Sequence, residues 1–231
     1  MKDRAEVERL RARADALAAY VALAAHELRA PATVVHGVAA TLHSRPEQLT
    51  GEQAGVLVGI LHTHTARLVR LLDQLLDLSR LDSEAIPIEA EVLPVREHVE
   101  QLVEQVAGER AGEVAVAVPS DLRARLDPHA LDRIVGNLVT NALHHGSAPV
   151  RVAAQQSDRH FRLVVEDRGA GVPEDLRDTL FERFARGGED GSGLGLAIAQ
   201  SYARAHGGAI FYEQGRPGAR FRVVIPAPPP A

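Results

Sequence analysis

Cysteine and tryptophan are absent from the 231 residues, methionine occurs once, and aromatic residues make up only 3%. Without cysteine there can be no disulfide framework and no thiolate metal site, which suits a reducing compartment such as the cytoplasm. Lysine occurs once, at Lys2, so nearly all the basic charge is arginine. Genomic or stability bias accounts for this, and no function is read from it. Positive charge is not in excess either. With 26 Lys and Arg against 31 Asp and Glu, the net charge is -5, which argues against a nucleic-acid partner. Long hydrophobic runs are missing too: Ala16 to Ala25, mostly alanine, is too short to span a bilayer and lacks the flanks of a signal peptide. A soluble chain without direct membrane contact is therefore expected. What remains is globular in composition, 45% hydrophobic and 25% charged, with room for one or two domains.

The two halves of the chain are unlike. In the first, Val7, Leu10, Ala14, Leu17, Val21, Ala24 and Leu28 alternate three and four apart, a heptad seam with Val7, Ala14, Val21 and Leu28 at position a. Leu57, Leu61, His64, Leu68, Leu71, Leu75 and Leu78 repeat the spacing after a break at Ser44 to Gly51. This spacing predicts two long helices in an antiparallel hairpin. At 1.5 Å per residue the first would be roughly 60 Å long, too long to bury its stripe within so small a chain. Two hairpins paired as a four-helix bundle would bury both stripes, and a homodimer is expected. An intramolecular two-helix coiled coil would leave one side of each seam wet, and Leu72 and Leu76 widen the second stripe beyond a two-strand seam.

After Ser79-Arg80-Leu81-Asp82 the periodicity changes, and Pro87 and Pro94 punctuate a linker over 84–94. Strands are expected over Val114–Val118, Val150–Ala154, Phe161–Glu166, Ala209–Gln214 and Arg220–Ile225. Helices are expected over Val95–Ala107, Pro128–His145 and Gly193–Ala205, the second opened by Asp127 as cap and Pro128 as first helical residue. Grouped helices with mainly antiparallel strands make an α+β sandwich over 95–226. The residues after Pro226 read as a Pro-rich disordered tail. The helical hairpin accounts for residues 1–83.

Four places carry chemistry. His26 falls at heptad position f, farthest from the seam, and is followed by Glu27, whose carboxylate can accept the ring proton and make the other nitrogen more nucleophilic. Pro31 cannot bond to the carbonyl of Glu27, and a proline inside a helix costs about 3 kcal/mol, so the helix should bend or loosen there. An ordinary surface histidine would satisfy the same pattern. Asn137 and Asn141 share one face of the Pro128–His145 helix, with His144 and His145 at its end. Their amide oxygens suit a hard ion such as Mg²⁺ that takes its remaining ligands from phosphates, or they are simple capping groups. Asp167, at a strand end and followed by Gly169 and Gly171, could accept from an exocyclic amine, or could open a plain turn. Finally, Gly187 to Leu196 frees backbone N–H groups through Gly191, Gly193 and Gly195, interleaved with Leu194 and Leu196, at the start of a helix. That composition fits triphosphate binding or a flexible loop, and matches neither the Walker motif nor the dinucleotide fingerprint.

The order of these boxes is more specific than any one of them. His26-Glu-Leu-Arg-Ala-Pro31, Asn137 to Asn141, Asp167 to Gly171, Phe181-Glu-Arg-Phe184 and Gly191 to Leu196 stand in the order found in sensor histidine kinases of two-component systems, which the chain resembles from about Ala14 to Pro226. The resemblance implies that His26 is the phosphoacceptor and Glu27 its polarising neighbour. It implies that Asn141 with Asn137 holds Mg²⁺, with His144 where the family often has a phosphate-binding lysine and His145 where an aromatic comes next. Asp167 would read the adenine amino group in a pocket shaped by Gly169 and Gly171. Phe181 and Phe184 would anchor the ATP lid, Arg183 and Arg186 would contact phosphates, and Gly191, Gly193 and Gly195 would cradle them. Transfer from ATP to His26 would precede transfer to an aspartate on a response regulator receiver domain.

Two departures carry information. Four residues after His26 many members have Thr or Asn, which serves regulator dephosphorylation. Here it is Ala30, so weak or absent phosphatase activity is expected. Only six residues separate Phe184 from Gly191, and Glu189-Asp190 lie among them. Other classes share parts of the pattern. The ATP-binding half also resembles type II topoisomerases, Hsp90-type chaperones and anti-sigma serine kinases, which lack the His26 box. A catalytically degenerate dimeric scaffold is the non-enzymatic alternative. With no recognisable sensor domain before His26, the stimulus would enter through a missing N-terminal sensor or membrane region, or through a partner.

Overall fold

The structure, a computed structural model, describes residues 25, 28–44, 49–82, 86–157, 159–183, 193–215 and 217–228. It divides into two compact units, Met1–Asp77 and Leu78–Ala231.

The first unit is a helical hairpin of α1 (28–44) and most of α2 (Gly51–Asp82), whose last five residues fall in the second unit. Thr50 and Gln53 start α2 with a reciprocal capping box: the Gln53 N–H donates to Thr50 Oγ1 at 3.3 Å, and the Thr50 N–H donates to Gln53 Oε1 at 3.0 Å. Thr41 near the end of α1 lines one shallow concavity with Glu52, Gln53, Val56 and Leu57 of α2, as two helices folded back on each other require. Pro31 lies within α1. Leu57, Leu61, His64, Leu68 and Leu71 are half-buried, whereas Leu72 and Leu76 remain 51% and 58% exposed. The hairpin thus leaves part of its apolar stripe uncovered within one chain. His26 and Glu27, and the seam from Val7 to Ala24, lie outside the described residues.

The second unit is a two-layer α+β sandwich. In chain order it contains β1 (Glu91–Pro94), α3 (Val95–Ala107), β2 (Val114–Ala117), β3 (Arg123–Leu126), α4 (Pro128–His145), β4 (Val150–Gln156), β5 (His160–Glu166), α5 (Gly195–Ala205), β6 (Ala209–Gln214) and β7 (Ala219–Pro226). Short 3₁₀ turns cover Gly108–Glu113 and Glu174–Leu176. Five strands form one sheet in the order β2-β4-β5-β7-β6, and β1 and β3 form a separate antiparallel pair. Only the β2–β4 pairing in the large sheet is parallel.

Alternation builds the core. Phe161, Leu163 and Val165 of β5 and Phe221, Val223 and Ile225 of β7 are all buried, and the residues between them are not. From the helices come Ile134, Leu138 and Val139 of α4 and Ile198 and Tyr202 of α5, also buried. Each buried aliphatic side chain contributes about 1.5–3 kcal/mol. Asp127 caps α4 by accepting from the Ala130 N–H at 2.8 Å, with Pro128 at the first helical position. Its second oxygen accepts from the Glu89 N–H at 2.6 Å, and its own N–H donates to His206 Nε2 at 3.0 Å beyond the end of α5.

The five expected strands are present, with ends shifted by up to two residues. Helix α5 begins at Gly195 rather than Gly193, because Gly193 has φ +65°, outside the helical region. Residues Glu91–Pro94, read from the sequence as linker, pair with β3. The expected disordered tail is corrected at its first residue. Ala227 is buried, its N–H donates to Arg159 O at 3.1 Å, and its carbonyl accepts from Gln156 Nε2 at 2.6 Å.

Candidate nucleotide site

Asp167 comes directly after β5 and is 5% exposed. Its Oδ1 accepts from the Gly169 N–H at 2.7 Å and the Ala219 N–H at 3.3 Å, and its own N–H donates to Ala219 O at 3.1 Å. The carboxylate is therefore locked in one orientation. Its Oδ2 takes no hydrogen bond among the described residues and stands as the acceptor left for an amine donor.

Three glycines close around this carboxylate. A β-carbon on Gly146, just past α4, would overlap the Asp167 carboxyl and approach Ala142 O at 2.6 Å. One on Gly169 would lie 2.9 Å from the α-carbon of Gly146. One on Gly218, which has φ +94°, would overlap the Asp167 carbonyl. Only glycine fits where backbone must come this close. Gly169 was legible in the sequence, whereas Gly146 and Gly218 were missed. The first reads as a helix stop and the second as a turn before a strand, and neither pattern shows what lies opposite.

Asn137 and Asn141 both project from α4 and are half-buried. Asn137 Nδ2 donates to Arg133 O at 2.6 Å, leaving Oδ1 as its available acceptor. A β-carbon on Gly195, the first residue of α5, would lie 2.9 Å from that oxygen, so the glycine box meets the asparagine box here. Asn141 makes no side-chain hydrogen bond among the described residues. Two amide oxygens on one helix face form a hard-ligand set that fits a divalent metal whose other positions are filled by water and phosphate. His144 Nδ1 donates to Thr140 O at 2.9 Å, and both His144 and His145 are exposed.

Leu194 is fully buried and anchors the start of α5, while Gly193 and Leu196 are half-buried. Phe181 meets Phe221 edge-on at 6.4 Å between ring centroids, and Arg183 is exposed. Gly171 has φ +80° and backs onto the Gln214 side chain. Phe184, Arg186 and Gly191 lie outside the described residues. Asp167 with Gly169, and Asn137 with Gly195, are thus brought into contact. No group of three or more His, Cys, Asp or Glu that could hold a metal occurs among the described residues.

A buried carboxylate in a glycine cradle on an α+β sandwich defines a class of ATP-binding domain. Residues 126–229 match the family described as histidine kinase-, DNA gyrase B-, and HSP90-like ATPase. Residues 16–84 match the His Kinase A phosphoacceptor domain, and with both domains in this order the chain belongs to the sensor histidine kinases. It is 34% identical over 226 residues to the signal transduction histidine-protein kinase AfsQ2 of Streptomyces coelicolor, an alignment covering 91% of this chain and 42% of that one. It is 30% identical over 218 residues to the sensor protein KdpD of Escherichia coli, covering 90% of this chain and 24% of KdpD. The chain therefore spans less than half the length of these relatives. Among solved structures, full-length ShkA in complex with AMPPNP superposes with a TM-score of 0.65 at 27% identity, covering 92% of this chain and 46% of ShkA. A solved chain of the mycobacterial sensor histidine kinase MprB superposes at 0.53 and 32%, covering 62% of this chain and 100% of the solved one. Among the described residues no helix is long and apolar enough to cross a membrane.

Proposed function

We propose that the chain is an ATP-dependent, autophosphorylating protein-histidine kinase that phosphorylates His26 and passes the phosphoryl group to an aspartate of a response regulator receiver domain. The observation that carries this reading is a phosphoacceptor domain followed by an ATP-binding domain on one chain. ShkA, similar over 92% of this chain, binds the ATP analogue AMPPNP.

The roles come from the chemistry of the groups. Asp167 accepts from the adenine amine through Oδ2 while Gly169 and Ala219 hold Oδ1. Asn137 and Asn141 hold Mg²⁺, which supplies charge neutralisation on the phosphates. His144, Arg183 and Arg186 serve the phosphate oxygens, and Gly191, Gly193 and Gly195 are the glycines whose N–H groups would meet them. Buried Leu194, with Leu196 beside it, would fix the end of that segment, and Phe181 with Phe184 would anchor its start. One ring nitrogen of His26 attacks the γ-phosphorus while the other turns its proton toward Glu27. The new P–N bond forms as the β,γ-bridging P–O bond breaks and ADP leaves. The half-exposed apolar stripe on α2 supports a homodimer, the four-helix bundle that would cover Leu72 and Leu76.

Incubation with γ-labelled ATP and Mg²⁺ tests the reading. Acid-labile, base-stable label on the wild type that vanishes in His26→Gln is the expected result. Nucleotide binding without label in the wild type would instead favour a dimeric scaffold.

A further inference from the structure

The segment after Gly171 leaves the sheet, and among the described residues no strand partner holds the backbone of Val172. Side chains from elsewhere take both of its polar groups. The Val172 N–H donates to the Tyr212 hydroxyl at 3.1 Å, and the Val172 carbonyl accepts from Arg177 Nε at 3.1 Å. The Tyr212 hydroxyl donates in turn to Gln214 Oε1 through a short bond, and Arg177 Nη2 donates to the same oxygen at 3.2 Å. Val172, Tyr212, Gln214 and Arg177 thereby form a closed ring of hydrogen bonds. The Arg177 guanidinium carbon also lies 6.0 Å from the centre of the Tyr212 ring.

This ring is joined to the candidate site at two points. Gln214 Nε2 donates to Gly218 O at 3.2 Å, and Gly218 is the glycine pressed against the Asp167 carbonyl. Gln214 also fills the space that a β-carbon on Gly171 would need. The tyrosine ring packs independently of its hydroxyl, with its centroid 5.7 Å from that of Phe221. Two strand-end side chains and one arginine thus fix a loop that would otherwise have to be ordered when a ligand arrives, at a cost in affinity.

We propose that Tyr212, acting with Gln214 and Arg177, is a positioning residue that holds the Gly171–Val172 backbone in the shape required by the base and sugar side of the nucleotide. The proposal rests on the reading of Asp167 as the adenine acceptor. Tyr212→Phe removes one hydroxyl and keeps the ring, so the loop loses its tether while the core keeps its packing.

Binding of adenosine, ADP and ATP to the whole chain, measured by calorimetry for wild type, Tyr212→Phe and Arg177→Ala, decides it. Tyr212→Phe is expected to bind all three about fivefold more weakly by a common factor, the worth of one hydrogen bond. The unfolding midpoint should fall by no more than a few degrees, and hydrogen exchange should accelerate at the Val172 amide. In autophosphorylation the KM for ATP should rise by the same factor with kcat retained. Arg177→Ala should act in the same direction, and the double variant should lose less than the sum, because either change opens the ring. Unchanged affinity in both single variants, or weakening confined to ATP, overturns the proposal. A wild type that binds none of the three overturns the reading of Asp167 and this proposal with it.

Discussion

The α-carbon of Gly218 is packed so closely on the backbone carbonyl of Asp167 that a β-carbon there would overlap it. Gly218 also has φ +94°, so alanine would be strained twice, by contact and by conformation. Gly218→Ala is expected to destabilise the sandwich by about 2–4 kcal/mol. Gly136 provides the opposite case: it lies inside α4, and its β-carbon would make only an ordinary 3.7 Å contact with Val106. Gly136→Ala should stabilise by about 0.5–1 kcal/mol through the helix propensity of alanine. Chemical denaturation of the two variants checks both signs.

Asp167→Asn separates recognition from folding. The amide would keep an oxygen for the Gly169 and Ala219 N–H groups but would replace the acceptor Oδ2 with a donor. Adenosine and ATP binding should fall by about 10- to 100-fold, the cost of placing donor against donor. Calorimetry alongside a thermal melt tests this. Retained affinity would remove Asp167 from the role of amine acceptor.

Two histidines give the sandwich opposite pH responses. The His98 ring donates to Asp132 Oδ1 at 2.7 Å, and this bond and the charges of Asp132 and Glu91 outweigh burial and raise its pKa above 6.5. Its stabilisation is complete below the unfolded value and is lost as pH rises through the raised value. His206 is lowered below 6.5, chiefly by burial, against a weaker upward pull from its own backbone and Asp127. Its neutral Nε2 accepts from the Asp127 N–H, so that stabilisation is present above the unfolded value and lost as pH falls through the lowered one. Melting curves across pH 5–8 should therefore lose part of their alkaline slope in His98→Gln and part of their acid slope in His206→Gln.

Long periodicity and capping chemistry made most of the fold legible. The alternation of Phe161, Leu163 and Val165 and the Asp127-Pro128 cap are local signals that tertiary structure had no reason to override. The pair β1 and β3 was not legible. Each strand has four residues, Pro94 closes one and two arginines punctuate the other, so neither shows a strand-like run. At the site, Asp167, Gly169, Asn137 and Gly195 could be read because each sits in a short recurring box. Gly146, Gly218 and Tyr212 could not, because what makes them matter is a neighbour distant in sequence, Asp167 or Val172.

The exposed leucines of α2 yield a prediction about assembly. Burying one leucine contributes about 2 kcal/mol, and in a symmetric dimer every substitution occurs twice. Leu72→Glu or Leu76→Glu should therefore weaken the dimer by about 4 kcal/mol, close to a thousandfold in Kd. Sedimentation across a concentration series should show a dimer for the wild type, as proposed, and monomers for the variants at the same concentrations. ATP binding should persist in them, since the sandwich has its own core.

The proposed transfer to a receiver domain makes Ala30 testable. It lies on α1, exposed, four residues beyond His26, and its methyl group can neither donate nor accept a hydrogen bond. A hydroxyl at this place could orient the water that attacks a receiver's aspartyl phosphate, whereas the proposed attack by His26 on ATP does not call on it. Ala30→Thr should shorten the lifetime of a phosphorylated receiver about five- to tenfold in the presence of this chain, the worth of one well-placed hydrogen bond. Autophosphorylation of His26 should proceed at its wild-type rate. Tracking the decay of purified phospho-receiver with each variant isolates the effect, and equal decay rates would show that Ala30 is not what limits dephosphorylation.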